Sequence, residues 1–218
     1  MTLQEFSIEF DIRYNNSMSN MAPGLSEYEK STYLTNAQDM IVLNYYNGTT
    51  GKAFEENELM RSFLHTLITQ KTETFEQPEL TPTVSLDINK ALFIIYEEAS
   101  LANDCNPQFK VEVIPTTYED LHRIRKNPFK GPSKTRVLRI DEGGSNRDLK
   151  LISKYPIQSY TCKYLKNPPP IILENLSEGL KIKGLSNAQE SILPPFVHSE
   201  ILDTAVALAK AAWGETKK

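Results

Sequence analysis

The sequence predicts an α+β fold, in which a helical bundle of three N-terminal helices and the C-terminal helix carries an inserted antiparallel β section. Apolar residues recur every three or four positions before residue 70 and again after residue 198, as in amphipathic helices. In between, short alternating segments are separated by turn residues, which is typical of antiparallel strands. The domain division that follows is 1–75 for the N-terminal helices, 76–190 for the β insertion and 191–218 for the C-terminal helix returning to the bundle.

The clearest helix in the sequence is predicted between Ser26 and Gly48. Ser26 with Glu29 three residues later is a capping box, and Gly48 can adopt the left-handed conformation that closes a helix. One apolar face is predicted from Tyr33, Leu34, Ala37, Met40, Ile41 and Tyr45. This face must pack against its own chain, another copy or a different protein.

The first 20 residues fit two patterns. Thr2 and Glu5 form a second capping box, and a helical face follows. That face would comprise Leu3, Phe6, Phe10, Tyr14 and Met18. The strict alternation from Phe6 to Tyr14 would also suit a strand, but the cap favours the helix. The segment Met21–Gly24 then predicts a tight connection into the next helix, because Pro23 cannot continue the first one.

The remaining elements are predicted in order along the chain. A polar loop over 47–56 leads into a third helix from about Asn57 to Gln70. Extended segments are predicted at 81–88, 92–98, 109–114, 136–140, 149–153, 159–165 and 171–173. Turn residues predict hairpin loops at 102–107 and 141–146. A short helix capped by Thr117 is predicted at 117–125, and a rigid polyproline segment is predicted at 167–170. The last helix is predicted from about His198 to Trp213, ended by Gly214.

Composition predicts a globular protein made in a cytoplasm. A net charge of −4 over 218 residues argues against general nucleic-acid affinity. Cys105 and Cys162 are few enough to suggest free thiols in a reducing compartment, although a disulfide between them is conceivable. The N-terminus lacks the pattern of a signal peptide, and no apolar run approaches the ~20 residues of a membrane helix.

The sequence carries no motif for catalysis or cofactor binding. Nucleophile-elbow, phosphate-loop and dinucleotide fingerprints are missing. His65, His122 and His198 are far apart, and none has a second ligand at metal-binding spacing. We therefore predict no catalytic residues, no cofactor and no metal. An enzyme whose site is assembled from distant residues stays open as an alternative.

The segment between Leu121 and Ile140 is strongly basic and contains no Asp or Glu. Its cations are Arg123, Arg125, Lys126, Lys130, Lys134, Arg136 and Arg139. Such a segment could be a solvated face, a contact to an acidic surface of another subunit, or a set of phosphate contacts. Only Phe129 provides an aromatic side chain nearby, which disfavours single-stranded nucleic acid.

The order of motifs along the chain resembles virion structural proteins of tailed phages, especially crAss-like phages. The resemblance rests on Tyr14-Asn15-Asn16, Leu25–Ser31, Ala37-Gln38, Thr117-Tyr118, Lys126–Phe129, Lys163–Ile171 and the segment 194–206. It spans nearly the whole chain, and no single motif in it is diagnostic. Ile8 and Ile12 depart from it, because related chains are more polar there.

The resemblance implies a non-enzymatic subunit of a head–tail connector or neck ring, commonly of twelve copies. Such a ring docks below the portal protein, contacts adjacent neck and tail proteins, and surrounds the DNA channel in the virion, with no membrane involved. Physical complementarity suggests that the basic segment meets acidic residues of an adjacent copy, such as Glu27, Glu29 and Asp39. The alternative is a small DNA-binding or packaging-associated phage protein that uses residues 123–139.

Overall fold

The computed structural model describes residues 1–17, 24–47, 58–87, 91–103, 106–127, 129–143, 147–177 and 179–215. The chain forms two compact units. The helical unit comprises Met1–Leu67 with Pro168–Lys218, and the sheet unit comprises Ile68–Asn167. Several predicted features lie outside the described residues: Met18, most of the Met21–Gly24 connection, the loop before residue 58, Gly48, Cys105 and the turn at 144–146.

The first helix, α1, spans Leu3–Ser17, so the strand alternative for this segment is wrong. The predicted capping box forms, because Glu5 Oε2 accepts from the Thr2 amide at 2.8 Å and Thr2 Oγ1 accepts from the Glu5 amide at 3.3 Å. Phe6, Phe10 and Tyr14 are buried along one face. A helical period fits these three burials together with the exposure of Ile8 and Ile12, whereas a strand would place all five on one face.

The second helix, α2, spans Glu27–Asn47 and begins at the predicted capping box. Its buried face is more polar than predicted, since it includes Lys30, Ser31, Thr35 and Gln38, while Met40 is exposed. Lys30 Nζ donates to Asp11 Oδ2 at 2.6 Å and to Glu27 Oε1 at 2.9 Å, which ties α2 to α1. A buried cation is tolerated here because two carboxylates compensate its charge.

Residues 168–173 lie along α2, whose side chains bond three of the backbone polar groups of this segment. Thr35 Oγ1 accepts from the Ile171 amide at 3.1 Å, and Ser31 Oγ accepts from the Leu173 amide at 3.0 Å. Gln38 Nε2 donates to the Pro169 carbonyl at 2.8 Å. The predicted strand at 171–173 is therefore wrong: only Ile172 makes a bridge, to Gln189.

The third helix, α3, spans only Glu58–Leu64, and a single 3₁₀ turn over His65–Leu67 follows it. The predicted extension to Gln70 is wrong, because a strand begins at Ile68. The fourth helix, α4 at Tyr118–Arg125, belongs to the sheet unit. The last helix, α5, spans His198–Glu215 and follows a 3₁₀ turn at Pro195–Val197. Gly214 lies within this helix instead of ending it.

The sheet unit contains one seven-stranded sheet in the order β1-β7-β3-β4-β5-β6-β2. The strands are β1 Ile68–Glu79, β2 Thr83–Leu86, β3 Ala91–Asn103, β4 Asn106–Pro115, β5 Arg136–Gly143, β6 Arg147–Ile152 and β7 Ile157–Lys166. The two edge strands are consecutive in sequence, and the carbonyls of Leu80 and Pro82 accept from the Ser153 and Leu151 amides at 2.9 and 3.0 Å. The segment that joins β1 to β2 thus runs from beside β7 to beside β6. Lys71 Nζ of β1 donates to the Ser85 carbonyl of β2 at 2.8 Å, so the two edges come close and the sheet is nearly closed like a barrel.

The predicted fold class, a helical bundle with an inserted antiparallel β section, is wrong. The fold is a mixed α/β one dominated by the nearly closed sheet. The sheet is also not purely antiparallel, because β4 and β5 pair in parallel. The helix α4, Tyr118–Arg125, lies in the connection between them, which is long enough for a crossover.

Alternation along β5 creates a core on each side of the strand. Val137 belongs to the cluster that fills the sheet interior, together with residues such as Val113 and Tyr160. Leu138 and Ile140 lie on the outer side, where Leu121 and Ile124 of α4 pack on them. Among the described residues, no helix combines the length and apolarity needed to span a membrane.

The pairing of α2 with residues 168–173 predicts unequal effects of two similar substitutions. Thr35→Val should lower the free energy of unfolding by about 2 kcal/mol, because it leaves the buried Ile171 amide without a partner. Thr32→Val removes a hydroxyl that only bonds the Tyr28 carbonyl one turn earlier, and should cost less than about 0.5 kcal/mol. Both swaps change helix propensity alike, so equal shifts in urea unfolding would contradict this role of Thr35.

Candidate assembly surface

The basic segment is divided between α4, the loop that follows it and the start of β5. Thr117 caps α4 as predicted, since its Oγ1 accepts from the Asp120 amide at 3.2 Å. The cations of α4 and the loop are exposed: Arg123, Arg125, Lys126, Lys130 and Lys134. Arg123 donates to Asp120 Oδ1 at 2.5 Å, an exposed pair one turn apart that contributes little to stability.

Phe129 lies within this loop with 87% of its surface exposed, the highest value among the exposed large hydrophobic residues. Its backbone is fixed on both sides: its amide donates to Asn127 Oδ1 at 2.9 Å, and its carbonyl accepts from Arg136 Nη1 at 2.7 Å. Gly131 closes the turn by donating to the Asn127 carbonyl at 2.8 Å. A Cβ at Gly131 would lie 3.0 Å from the same oxygen, which is tighter than most Cβ contacts, so a larger residue here would need the loop backbone to shift by a few tenths of an ångström. The loop therefore presents Phe129 in a defined position.

Two shallow cavities adjoin the loop. One, of about 600 Å³, is lined by Arg125, Lys134 and Lys154, and no carboxylate lines it. The other, of about 460 Å³, lies between Arg123 and Lys130 and shares Asn127 with the first. Lys154 was not predicted as part of this surface, because it follows β6 and only the fold brings it to the loop. The second cavity is also lined by Asp120, which pairs with Arg123. Phe129 and the exposed cations of these two cavities form a predominantly basic surface, which we call the basic loop surface.

Arg139 is separated from this surface, because alternation along β5 turns it toward the sheet interior. Only 9% of its side chain is exposed, and its Nε lies 3.1 Å from Glu97 Oε1 as an ion pair without hydrogen-bond alignment. Arg139 also pairs with Asp141, whose other oxygen binds Arg147 at 2.9 Å. The Tyr160 hydroxyl donates to Glu97.

The buried cluster around Arg139 is internally balanced in charge. Burial raises the pKa of Glu97 against the opposing effect of Arg139, and burial also raises the pKa of Tyr160. Two cations face two carboxylates, so every charge has a partner within the sheet unit. This arrangement gives Arg139 a role inside its own subunit.

The acidic residues predicted to face a neighbouring copy are all bonded within their own chain. Glu27 accepts from Lys30 and from Ser7 at 3.0 Å. Glu29 caps α2, and the hydrogen bonds from Ser26 hold its pKa below the usual value. Asp39 pairs with Lys183 at 2.6 Å. These residues belong to the helical unit, whereas the predicted cations belong to the sheet unit.

The histidines and the buried thiol show no site chemistry. His198 is buried, and its Nε2 donates to the Leu193 carbonyl at 3.0 Å, while burial lowers its pKa. His65 contacts the Ser62 carbonyl, and His122 is exposed. Cys162 is buried as a free thiol. Within the described ranges, no group of three or more His, Cys, Asp or Glu residues is placed to hold a metal ion.

Comparisons with known proteins give a consistent answer over the full length. The sequence model of a family described as "Phage tail ring protein 3/4" matches residues 1–218. "Ring protein 3" of Bacteroides phage crAss001 is 40% identical over 225 aligned positions, covering 96% of this chain and 95% of the relative. "Ring protein 4/5" of the same phage is 38% identical over 229 positions, covering 98% and 94%.

Two arginines of the same basic segment are expected to differ sharply in their effect on stability. Arg139→Met should lower the free energy of unfolding by about 3 kcal/mol, since it leaves Glu97 buried without its cation. The control Arg123→Met removes only an exposed pair and should change it by less than about 0.5 kcal/mol. Urea unfolding measures both, and a neutral Arg139→Met would contradict the structural role of the buried cluster.

Proposed function

Because the chain belongs to the phage tail ring protein 3/4 family, we propose that it forms a ring at the head–tail junction of a crAss-like phage virion. It is a structural ring protein, and its role is non-enzymatic. In our proposal the ring is a connector or neck layer that docks below the portal and surrounds the channel through which DNA passes. Its partners are further copies of itself, twelve in the commonest arrangement, and the adjacent neck and tail proteins.

The observation that carries this proposal is the basic loop surface. Its cations are exposed, its Phe129 is held in place by two backbone hydrogen bonds, and the chain as a whole is acidic. Aromatic side chains are enriched at protein–protein interfaces, so an exposed aromatic residue whose backbone is hydrogen-bonded on both sides is suited to act as an anchor there. Charges around such an anchor set register and reject wrong partners more than they add affinity.

Ring closure requires a contact between two different surfaces of the same chain. A head-to-tail contact of this kind closes when its rotation divides a full turn, and it gives every copy the same environment. A stable interface buries about 1,600 Å² in total. The basic loop surface would supply one side of that contact, and an acidic surface of the neighbouring copy the other. In this proposal Glu27, Glu29 and Asp39 join that acidic surface by exchanging their partners within the chain for cations of the neighbouring copy.

Reversing two exposed cations should weaken assembly without unfolding the subunit. We expect Arg123→Glu with Arg125→Glu to lower the fraction of assembled protein at least tenfold at a fixed subunit concentration, because the reversed charges would repel the acidic surface of the neighbouring copy. Both residues are exposed, so the subunit should keep its fold. Light scattering coupled to gel filtration measures the assembled fraction, and circular dichroism checks the fold.

The matched control is Lys110→Glu with Lys181→Glu, which changes the net charge equally at exposed positions elsewhere. Normal assembly of the first variant would contradict the electrostatic part of the proposal. Wild-type protein that stays monomeric but binds duplex DNA, with affinity falling steeply between 50 and about 200 mM salt, would instead indicate the packaging-associated function.

A further inference from the structure

The exposed side of α1 carries an apolar pair that its own fold does not cover among the described residues. Ile8 and Ile12 are one helical turn apart, and 51% and 46% of their surfaces are exposed. The opposite side of the helix already provides the core contacts through Phe6, Phe10 and Tyr14. Ile8 and Ile12 add nothing to the stability of the helix on this solvent-facing side, because β-branched side chains lose χ1 freedom in a helix.

Carboxylates bracket this pair on both sides. Helical spacing places Glu5 and Glu9 along one flank of Ile8 and Ile12, and Asp11 along the other. The side chains of Glu9 and Asp11 remain 43% and 47% exposed although they pair with Arg13 and Lys30. Acidic side chains thus outnumber Arg13, which is the single cation of α1 and whose side chain is only 28% exposed. We call Ile8 and Ile12 with these three carboxylates the α1 acidic surface.

The basic loop surface and the α1 acidic surface are complementary in polarity and in charge. One has an exposed aromatic side chain on a loop whose cations outnumber its one carboxylate, Asp120, and the other has an exposed aliphatic pair flanked by carboxylates. We propose that Phe129 of one copy packs on Ile8 and Ile12 of the next copy. Lys126 and Lys130 then face the carboxylates of α1. This inference rests on the proposed ring and names its contact.

A second copy of the chain suits this contact better than the other candidate occupants. The two surfaces are different, so each copy offers one and accepts the other, as closure of a ring requires. Nucleic acid would neutralise the cations of the loop but leave Ile8 and Ile12 without a partner. A buried aromatic side chain covers about 150–250 Å², so Phe129 acts as the anchor of a larger interface.

The contact can be tested by cross-linking in the assembled protein. In a Cys105→Ser background, Phe129→Cys combined with Ile12→Cys should give a ladder of disulfide-linked multimers under mild oxidation. Such a bond forms only when the Cα atoms come within about 7 Å. The remaining Cys162 is buried and should not react. The control pairs Phe129→Cys with Leu185→Cys, since Leu185 is 46% exposed in the same unit as α1; it should stay monomeric on a denaturing gel.

A double-mutant cycle tests the same contact without cysteines. Phe129→Ser and Ile12→Ser should each raise the subunit concentration needed for assembly about tenfold, and together they should do little more than either alone, because they remove one shared contact. The control Tyr118→Ser changes a side chain that is 57% exposed and should have no effect.

The outcomes separate this inference from the proposed function. Rings that form normally while no ladder appears, or single variants whose effects simply add, would overturn the contact and leave the ring intact. A wild-type protein that forms no ring under any condition and gives no ladder would overturn both.

Discussion

The helical unit depends on how α2 satisfies the buried backbone of residues 168–173. Ser31, Thr35 and Gln38 recur at helical spacing and act for that segment as a neighbouring strand would. Prolines at 168–170 have no amide to donate, so the segment cannot pair as an ordinary strand, and its remaining polar groups need specific partners. This requirement fixes the segment against α2 and explains why a long helix tolerates a polar stripe on its buried face.

The sheet unit places the cations of one basic segment in two different environments. Alternation along β5 turns Arg139 into the interior, where Glu97 and Asp141 balance its charge. The preceding loop keeps its cations in solvent and holds Phe129 between Asn127 and Arg136. A buried ion pair contributes little net stability against an apolar replacement of equal size, but removal of one partner is costly. The exposed cations carry no such constraint and are available to a partner.

The sequence predicted α1, α2 and α4 well, because capping residues and helical spacing involve residues that are close together in the sequence. The strand β1 was missed, since its Thr and Glu residues are polar on both faces and give no apolar alternation. The parallel pairing of β4 with β5 and the near closure of the sheet depend on contacts between distant segments. For the site, the alternation of β5 could have placed Arg139 beside Val137 in the interior. The display of Phe129 depends on an Asx turn, in which Asn127 accepts from the Phe129 amide, and on Arg136, which donates to the Phe129 carbonyl. The Asx turn is a local pattern that Asn127 could have indicated, whereas the Arg136 contact depends on the fold.

The central claim is that copies of this chain close into a ring through two different surfaces. The most direct measurement is the native mass of the full-length protein, alone and mixed with its cognate portal. We expect a single closed oligomer, formed either alone or only on the portal, and stable at moderate salt because apolar burial holds it together. A monomer or a symmetric dimer that ignores the portal would contradict it.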